Sequence, residues 1–273
     1  MVTGASRGIG KQCAIKLAQA GFDVAIAART LREGEGRDDS RQAGPARPVP
    51  GSLETTAAAV EAAGCHALPL VVDLLDHASL VAAVGRVLGS WGRVDVLVNN
   101  AVHTGAGGMD RFVDVTIPVV ETKLRANVVS QLVLIKLVLP GMLERGAGRI
   151  VNMSSAVAVS DPPAPVGEGG WGLAYAVSKG AFHRVAGILA VELGAAGILA
   201  FNVDPGFVVT ERMAANQAEL GLEGVYRGAP PTVPAAAVAW LASAPEAAEL
   251  NGATVRAQKL ALERRLHPDW RAH

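Results

Sequence analysis

The chain has 273 residues, half of them apolar, and balances 25 Lys and Arg against 25 Asp and Glu. That length buries one sizeable core, and α/β folds of this size are routinely a single domain. Zero net charge and the absence of a basic stripe exclude a charge-driven nucleic-acid or anionic-membrane partner and leave a small neutral or weakly charged molecule as the expected ligand.

The first feature in chain order is Thr3-Gly4-Ala5-Ser6-Arg7-Gly8-Ile9-Gly10. Glycines at 4, 8 and 10 admit positive φ and remove the Cβ that would block a pyrophosphate. The helix that follows aims its free amides at such an anion. The spacing is not G-x-G-x-x-G, so a tight structural turn is the bland alternative. Only Met1 and Val2 precede the loop, whereas a strand usually needs about five residues. The first strand is therefore expected to be truncated, with the real start upstream of Met1.

Residues 9–20 read as an amphipathic helix stopped by Gly21, and residues 23–28 as a buried strand. Further strand-like runs follow at 68–72, 94–99, 149–153, 198–203 and 253–256. Helices are expected over 52–63, with Ser52 as N-cap and Gly64 as stop, and over 77–91, 117–144, 174–193 and 235–243. This alternation predicts an α/β chain: a Rossmann-like, doubly wound parallel sheet in a single domain over 1–273, with ligands at the carboxyl ends of the strands. Residues 30–51 and 160–172, rich in Pro, Gly and charge, read as solvated insertions. The most apolar helical stretch, 131–139, is short and carries Lys136, so it is expected to pack and not to span a membrane. Cys13 and Cys65 have neither metal nor redox spacing, and no charged leader precedes an apolar run. A reducing, cytoplasmic setting is the expectation.

Tyr175 and Lys179 lie four apart at the start of a predicted helix and so share a face. An ammonium near a phenol favours phenolate, which makes Tyr175 a candidate proton donor or acceptor. An ordinary helical Tyr/Lys pair is the alternative. Ser155 ends a strand, where its hydroxyl either meets a substrate carbonyl or caps the strand.

Taken together, the glycine loop, Asp73, Asn99-Asn100-Ala101, Asn127, Ser155, Tyr175 with Lys179, and Pro205-Gly206 followed by Thr210 resemble the classical short-chain dehydrogenase/reductase family, from Thr3 to about Gly252. The resemblance implies that Tyr175 exchanges a proton with the substrate oxygen and that Lys179 depresses its pKa and bonds the nicotinamide ribose. It implies that Ser155 polarises the carbonyl, and that Asn127 holds a water linking Lys179 to a proton relay. It further implies that Asp73 meets the adenine, Asn99 the adenosine side, and Pro205, Gly206 and Thr210 the carboxamide. Gly4, Ser6, Arg7, Gly8, Ile9, Gly10, Leu74, Ala101 and Val208 complete the implied cofactor-binding set. The activity implied is interconversion of a carbonyl and a secondary alcohol, with a catalytically silent NADP-binding or structural protein as the alternative.

Where an NAD-dependent relative places an acid, this chain has Ala28 followed by Arg29, and Arg7 lies in the loop. Two guanidinium groups suit a 2′-phosphate, so NADP(H) is expected over NAD(H). Twenty residues separate Ser155 from Tyr175, more than the family usually shows, and Val102 replaces a common glycine. Loops 102–113, 156–172 and 207–230 are expected to line the substrate site, with His103 and Trp171 as undecided neighbours and His183 packed. No metal site is expected. Helices 117–144 and 174–193 are apolar on more than one face, which predicts a homodimer or homotetramer.

Overall fold

The computed structural model describes residues 1–38, 47–216 and 228–270. The strands are Val2–Thr3 (β1), Val24–Ala28 (β2), Arg37–Asp38 (β3), Arg47–Pro48 (β4), Ala67–Val71 (β5), Val96–Asn99 (β6), Gly148–Met153 (β7), Ile198–Asp204 (β8) and Thr254–Arg256 (β9). Apart from the small antiparallel pair β3-β4, they form one parallel sheet in the order β5-β2-β1-β6-β7-β8-β9. The order reverses between β1 and β6, and doubly wound sheets bind their ligands at the carboxyl side of that switch point.

Burial explains why the apolar runs become strands. All five residues of β2 and all four of β6 are buried, as a sheet covered on both faces requires. One face packs Ile26, Val98 and Phe201 against Gly8–Gln19 (α1), Leu53–Ala62 (α2) and, later in the chain, Thr232–Ser243. The other packs Leu97, Ile150 and Ile198 against His77–Trp91 (α3) and against Leu134, Ile135 and Phe182. Ser52 caps α2 in a reciprocal box with Thr55, and Asp76 caps α3 by accepting from Ala78 N and Ser79 N.

The expected long helix is one run in three parts: Ile117–Leu124 (α4), a π turn at Arg125–Val129, and Ser130–Glu144 (α5). Its 28 residues are long and apolar enough to cross a membrane by length and composition. Shortness is therefore no argument against a span. Packing is: Leu134, Ile135, Val138 and Met142 are buried in the core beneath the sheet. Leu173–Leu193 (α6) follows, then Glu211–Asn216 (α7), Thr232–Ser243 (α8) and Ala257–Glu263 (α9). α7 and α9, unpredicted, are too short to show a helical period.

β1 is two residues long yet bridges the sheet, pairing with β2 through Val2 and Thr3 and with β6 through Val2. The Met1 amine donates to Val96 O at 2.7 Å, and Val98 N donates to Met1 O at 2.9 Å. Thr3 Oγ1 accepts from both Asn100 N and Ala101 N at 3.0 Å, which fastens the two strand ends at the switch point. The first insertion is less solvated than its composition predicts. Val49 is buried and residues 49–51 close over the glycine loop, while 39–46 lie outside the described residues.

Candidate active site

A cleft of about 340 Å³ opens at the carboxyl ends of β1, β2, β6 and β7. Its floor is the glycine loop. Gly4 and Gly8 have φ of +67° and +57°, a region that L side chains rarely adopt. A Cβ at Gly10 would collide with the Gly4 carbonyl and the Asn100 side chain, so the absence of side chains is a packing requirement of the cradle. Asn100 Nδ2 donates to Thr3 O at 2.9 Å and to Gly4 O at 3.3 Å, bracing the loop from beneath.

Ser6, Ile9, Arg29, Asp73, Leu74, Ala101, Pro205, Gly206 and Thr210 line this cleft. The Asp73 carboxylate accepts from Leu75 N at 2.9 Å and does not cap α3, a role taken by Asp76. Arg7 also lines it, but its guanidinium is turned to protein: Nε donates to Pro50 O at 2.9 Å and Nη2 to Gly51 O at 2.8 Å and Thr30 Oγ1 at 3.3 Å. Burial lowers the Arg7 pKa against the opposing charge of Glu211 and Glu33. Arg7 thus ties the end of the first insertion to the loop before it meets any phosphate.

Two expected contacts fall elsewhere. The Asn99 side chain, assigned to the adenosine side, is buried and donates from Nδ2 to Asn152 Oδ1 at 3.0 Å. The register Asn99↔Asn152 between β6 and β7 puts the pair inside the sheet, and Asn100 faces the cleft instead. Val208 is buried and pairs with Ala229, so its side chain is part of the packing beside the cleft and not of its wall.

Ser155, Tyr175 and Lys179 meet at the far end. Ser155 follows β7 and caps a 3-10 turn, while Tyr175 and Lys179 stand one turn apart near the start of α6. Ser155 is close enough to Tyr175 to pull its pKa down. Lys179 Nζ donates to Met153 O at 2.7 Å and lies 5.9 Å from the centroid of the Tyr175 ring. Burial lowers the Lys179 pKa to about 8. The Tyr175 pKa is raised by desolvation, against smaller downward pulls from Ser155 and Arg212. This corrects the expectation of a depressed phenol: the ammonium is anchored to the strand, and removal of the ring from water outweighs the groups that favour phenolate.

Asn127 sits in the π turn, a geometry that often marks functional sites. Its Oδ1 accepts from His103 N at 2.8 Å and its Nδ2 donates to Ser178 Oγ at 3.0 Å. Its side chain thereby ties loop 103–105 to α6. Buried Lys123 donates to the carbonyls of His103 and Gly105, and Gln131 Nε2 to Ala101 O at 3.0 Å. Sequence reading missed both, because their partners are carbonyls of an irregular loop. His183 bridges Ser154 Oγ at 2.9 Å and Thr254 Oγ1 at 3.2 Å, which agrees with a packing role. The second insertion meets the 102–113 loop through Gly172 N and Gly108 O. Of the third substrate loop, 217–227 lie outside the described residues.

A profile of the short chain dehydrogenase family matches residues 46–221. The chain belongs to that family. It is 32% identical over 211 residues to an L-rhamnose 1-dehydrogenase (NAD(P)(+)) of Sphingomonas sp., covering 77% of this chain and 72% of the relative. It is 36% identical over 153 residues to a hydroxysteroid dehydrogenase-like protein 2 of Danio rerio, covering 56% of this chain; the match spans 33%, about a third, of that relative's length. Among solved structures, a 3-oxoacyl (acyl-carrier-protein) reductase from Agrobacterium tumefaciens with NADP bound superposes with a TM-score of 0.76 at 26% identity, over 93% of this chain and 90% of that one.

Proposed function

We propose that the chain is an NADP(H)-dependent oxidoreductase that interconverts a small-molecule carbonyl and a secondary alcohol, with Tyr175 as general acid and base. The observation that carries the reading is the convergence of Ser155, Tyr175 and Lys179 on the same cleft as the glycine cradle. The cradle fits a dinucleotide, since Gly4, Gly8 and Gly10 line the cleft where α1 begins and the first-turn amides of a helix lack acceptors of their own. Bound there, the nicotinamide supplies or accepts the hydride.

The chain's own groups manage the oxygen. Ser155 Oγ orients and polarises the carbonyl, and Tyr175 Oη delivers the proton as the oxygen becomes an alkoxide. The upward shift of Tyr175 keeps the phenol protonated through the neutral range, the state a reductase needs at the start of turnover. Lys179, cationic below about pH 8, stabilises the phenolate that remains. Preference for NADP(H) rests on charge: the lining carries Arg7, Arg29, Arg37, Lys179 and Arg212 against the single acid Asp73. The NADP named for the Agrobacterium structure supports the same choice.

Quenching of NADPH fluorescence on titration tests the cofactor, and absence of saturable binding to folded protein refutes it. Turnover of a carbonyl panel by the parent and by Tyr175→Phe tests the chemistry. The long segment between Ser155 and Tyr175 favours one second reading, a cofactor-binding protein without turnover; equal rates in the two proteins would support that and remove Tyr175 from the mechanism. Exposed Ile117, Val129, Ile188 and Val191 on the helical face support a homodimer or homotetramer, which light scattering decides.

A further inference from the structure

Glu211 opens α7, and its Oε2 accepts the backbone N–H of Gly8 at 2.8 Å. Gly8 is the first residue of α1, so this amide is one of those with no acceptor inside the helix. A carboxylate on it draws on the same partial positive charge that attracts phosphate. The segment lies directly on the loop: a Cβ at Gly8 would meet the Thr210 methyl at 3.2 Å. The two ends of the segment are held differently. Its stem is fixed, with Gln258 Nε2 donating to Pro205 O at 2.9 Å and Phe207 O at 3.0 Å, and Val209 N donating to Ala229 O at 3.1 Å. Among the described residues, Glu211 makes the hydrogen bond that joins α7 to the glycine loop.

One amide cannot serve two anions, and a carboxylate beside a pyrophosphate adds like-charge repulsion to the competition. We propose that Glu211 is a displaceable stand-in for the cofactor pyrophosphate, holding α7 down on the cradle until the dinucleotide takes the Gly8 amide and expels it. The proposal rests on the cofactor reading above and deepens it. Glu211 sets the affinity of the cleft, and cofactor binding releases α7 beside the substrate entrance. Arg212, the next residue, lines the cleft, so the segment that Glu211 holds carries a cation at the site.

Glu211→Gln keeps the shape and removes the charge. The expected result is NADPH bound about tenfold more tightly than by the parent, the scale of one charge-assisted hydrogen bond. Adenosine 2′-monophosphate, which has the ribose phosphate but none at the 5′ position, is expected to bind both proteins equally. Hydrogen exchange at the Gly8 amide is expected to be faster in the cofactor-free variant than in the parent. Glu211→Ala, checked for fold by circular dichroism, is expected to shift NADPH affinity in the same direction. Equal or weaker NADPH binding by both variants overturns the proposal. An equal gain for adenosine 2′-monophosphate also overturns it, because the effect would then be a general field and not exchange at one amide. Failure of NADPH to bind even the parent is a different result: it removes the cofactor reading and the stand-in with it.

Discussion

In a chain produced from Met1 onward, the amino group of that residue makes the fold sensitive to mild acid. It is buried at the amino end of β1, donates to Val96 O at 2.7 Å and borders a cavity of about 370 Å³ that Phe22, Val24, Trp91 and Val94 also line. Desolvation lowers its pKa from 8.0 to about 5, with Asp95 opposing. Between those two values the unfolded chain binds the extra proton, so stability rises with pH through the window and the penalty is absent above about pH 8. With folded and unfolded values of about 5 and 8, the cost is about 1.4 kcal/mol at pH 7, about 2.7 at pH 6 and under about 0.1 at pH 9. Acetylation of the amine isolates this group from Lys179 and His183, whose lowered pKa values give slopes of the same sign. The acetyl amide keeps an N–H for Val96 O, and the cavity has room for the methyl. Urea unfolding of both forms at pH 6, 7 and 9 should show the acetylated chain gaining about 1.4 kcal/mol on the parent at pH 7 and more at pH 6. Parallel pH dependences of the two forms would refute the reasoning.

Gly10→Ala forces a Cβ against the Gly4 carbonyl and the Asn100 amide; NADPH binding should disappear in a fluorescence titration, and urea unfolding should register a loss of about 1–3 kcal/mol. Thr3→Val keeps the shape but strands the part-buried amide of Ala101, while Asn100 N keeps Val98 O, a loss of about 1–2 kcal/mol by the same assay, whereas Thr3→Ser should stay near the parent. Arg212→Leu removes a charge that pulls the Tyr175 pKa down, so the phenolate should appear at higher pH in an absorbance titration, and the alkaline limb of the rate profile should move the same way.

The legible part of this molecule is what local pattern determines. Buried strands such as Val24–Ala28 and Ile198–Asp204 stand out as apolar runs between turn residues, and α3 begins and ends at the expected residues because Asp76 and Gly92 punctuate it. Tyr175 and Lys179 come together for the same reason, since helical spacing alone puts them on one face. Ser155 joins them through the order of the sheet, which the β/α alternation implies.

What the sequence did not disclose depends on partners far along the chain. Whether Asn99 or Asn100 faces the cleft is decided by the register of β6 on β7, where Asn152 claims the first of them. Arg7 reads as a phosphate ligand until the end of an insertion more than 40 residues away supplies the carbonyls of Pro50 and Gly51. Glu211 lies 203 residues from Gly8 in a helix too short to carry a period, and its partner is a backbone amide, which has no residue signature. In each case a polar side chain's role follows from which main-chain group or neighbouring strand reaches it. The site's chemistry was therefore readable where side chains meet along one element, and hidden where a side chain meets backbone across the fold.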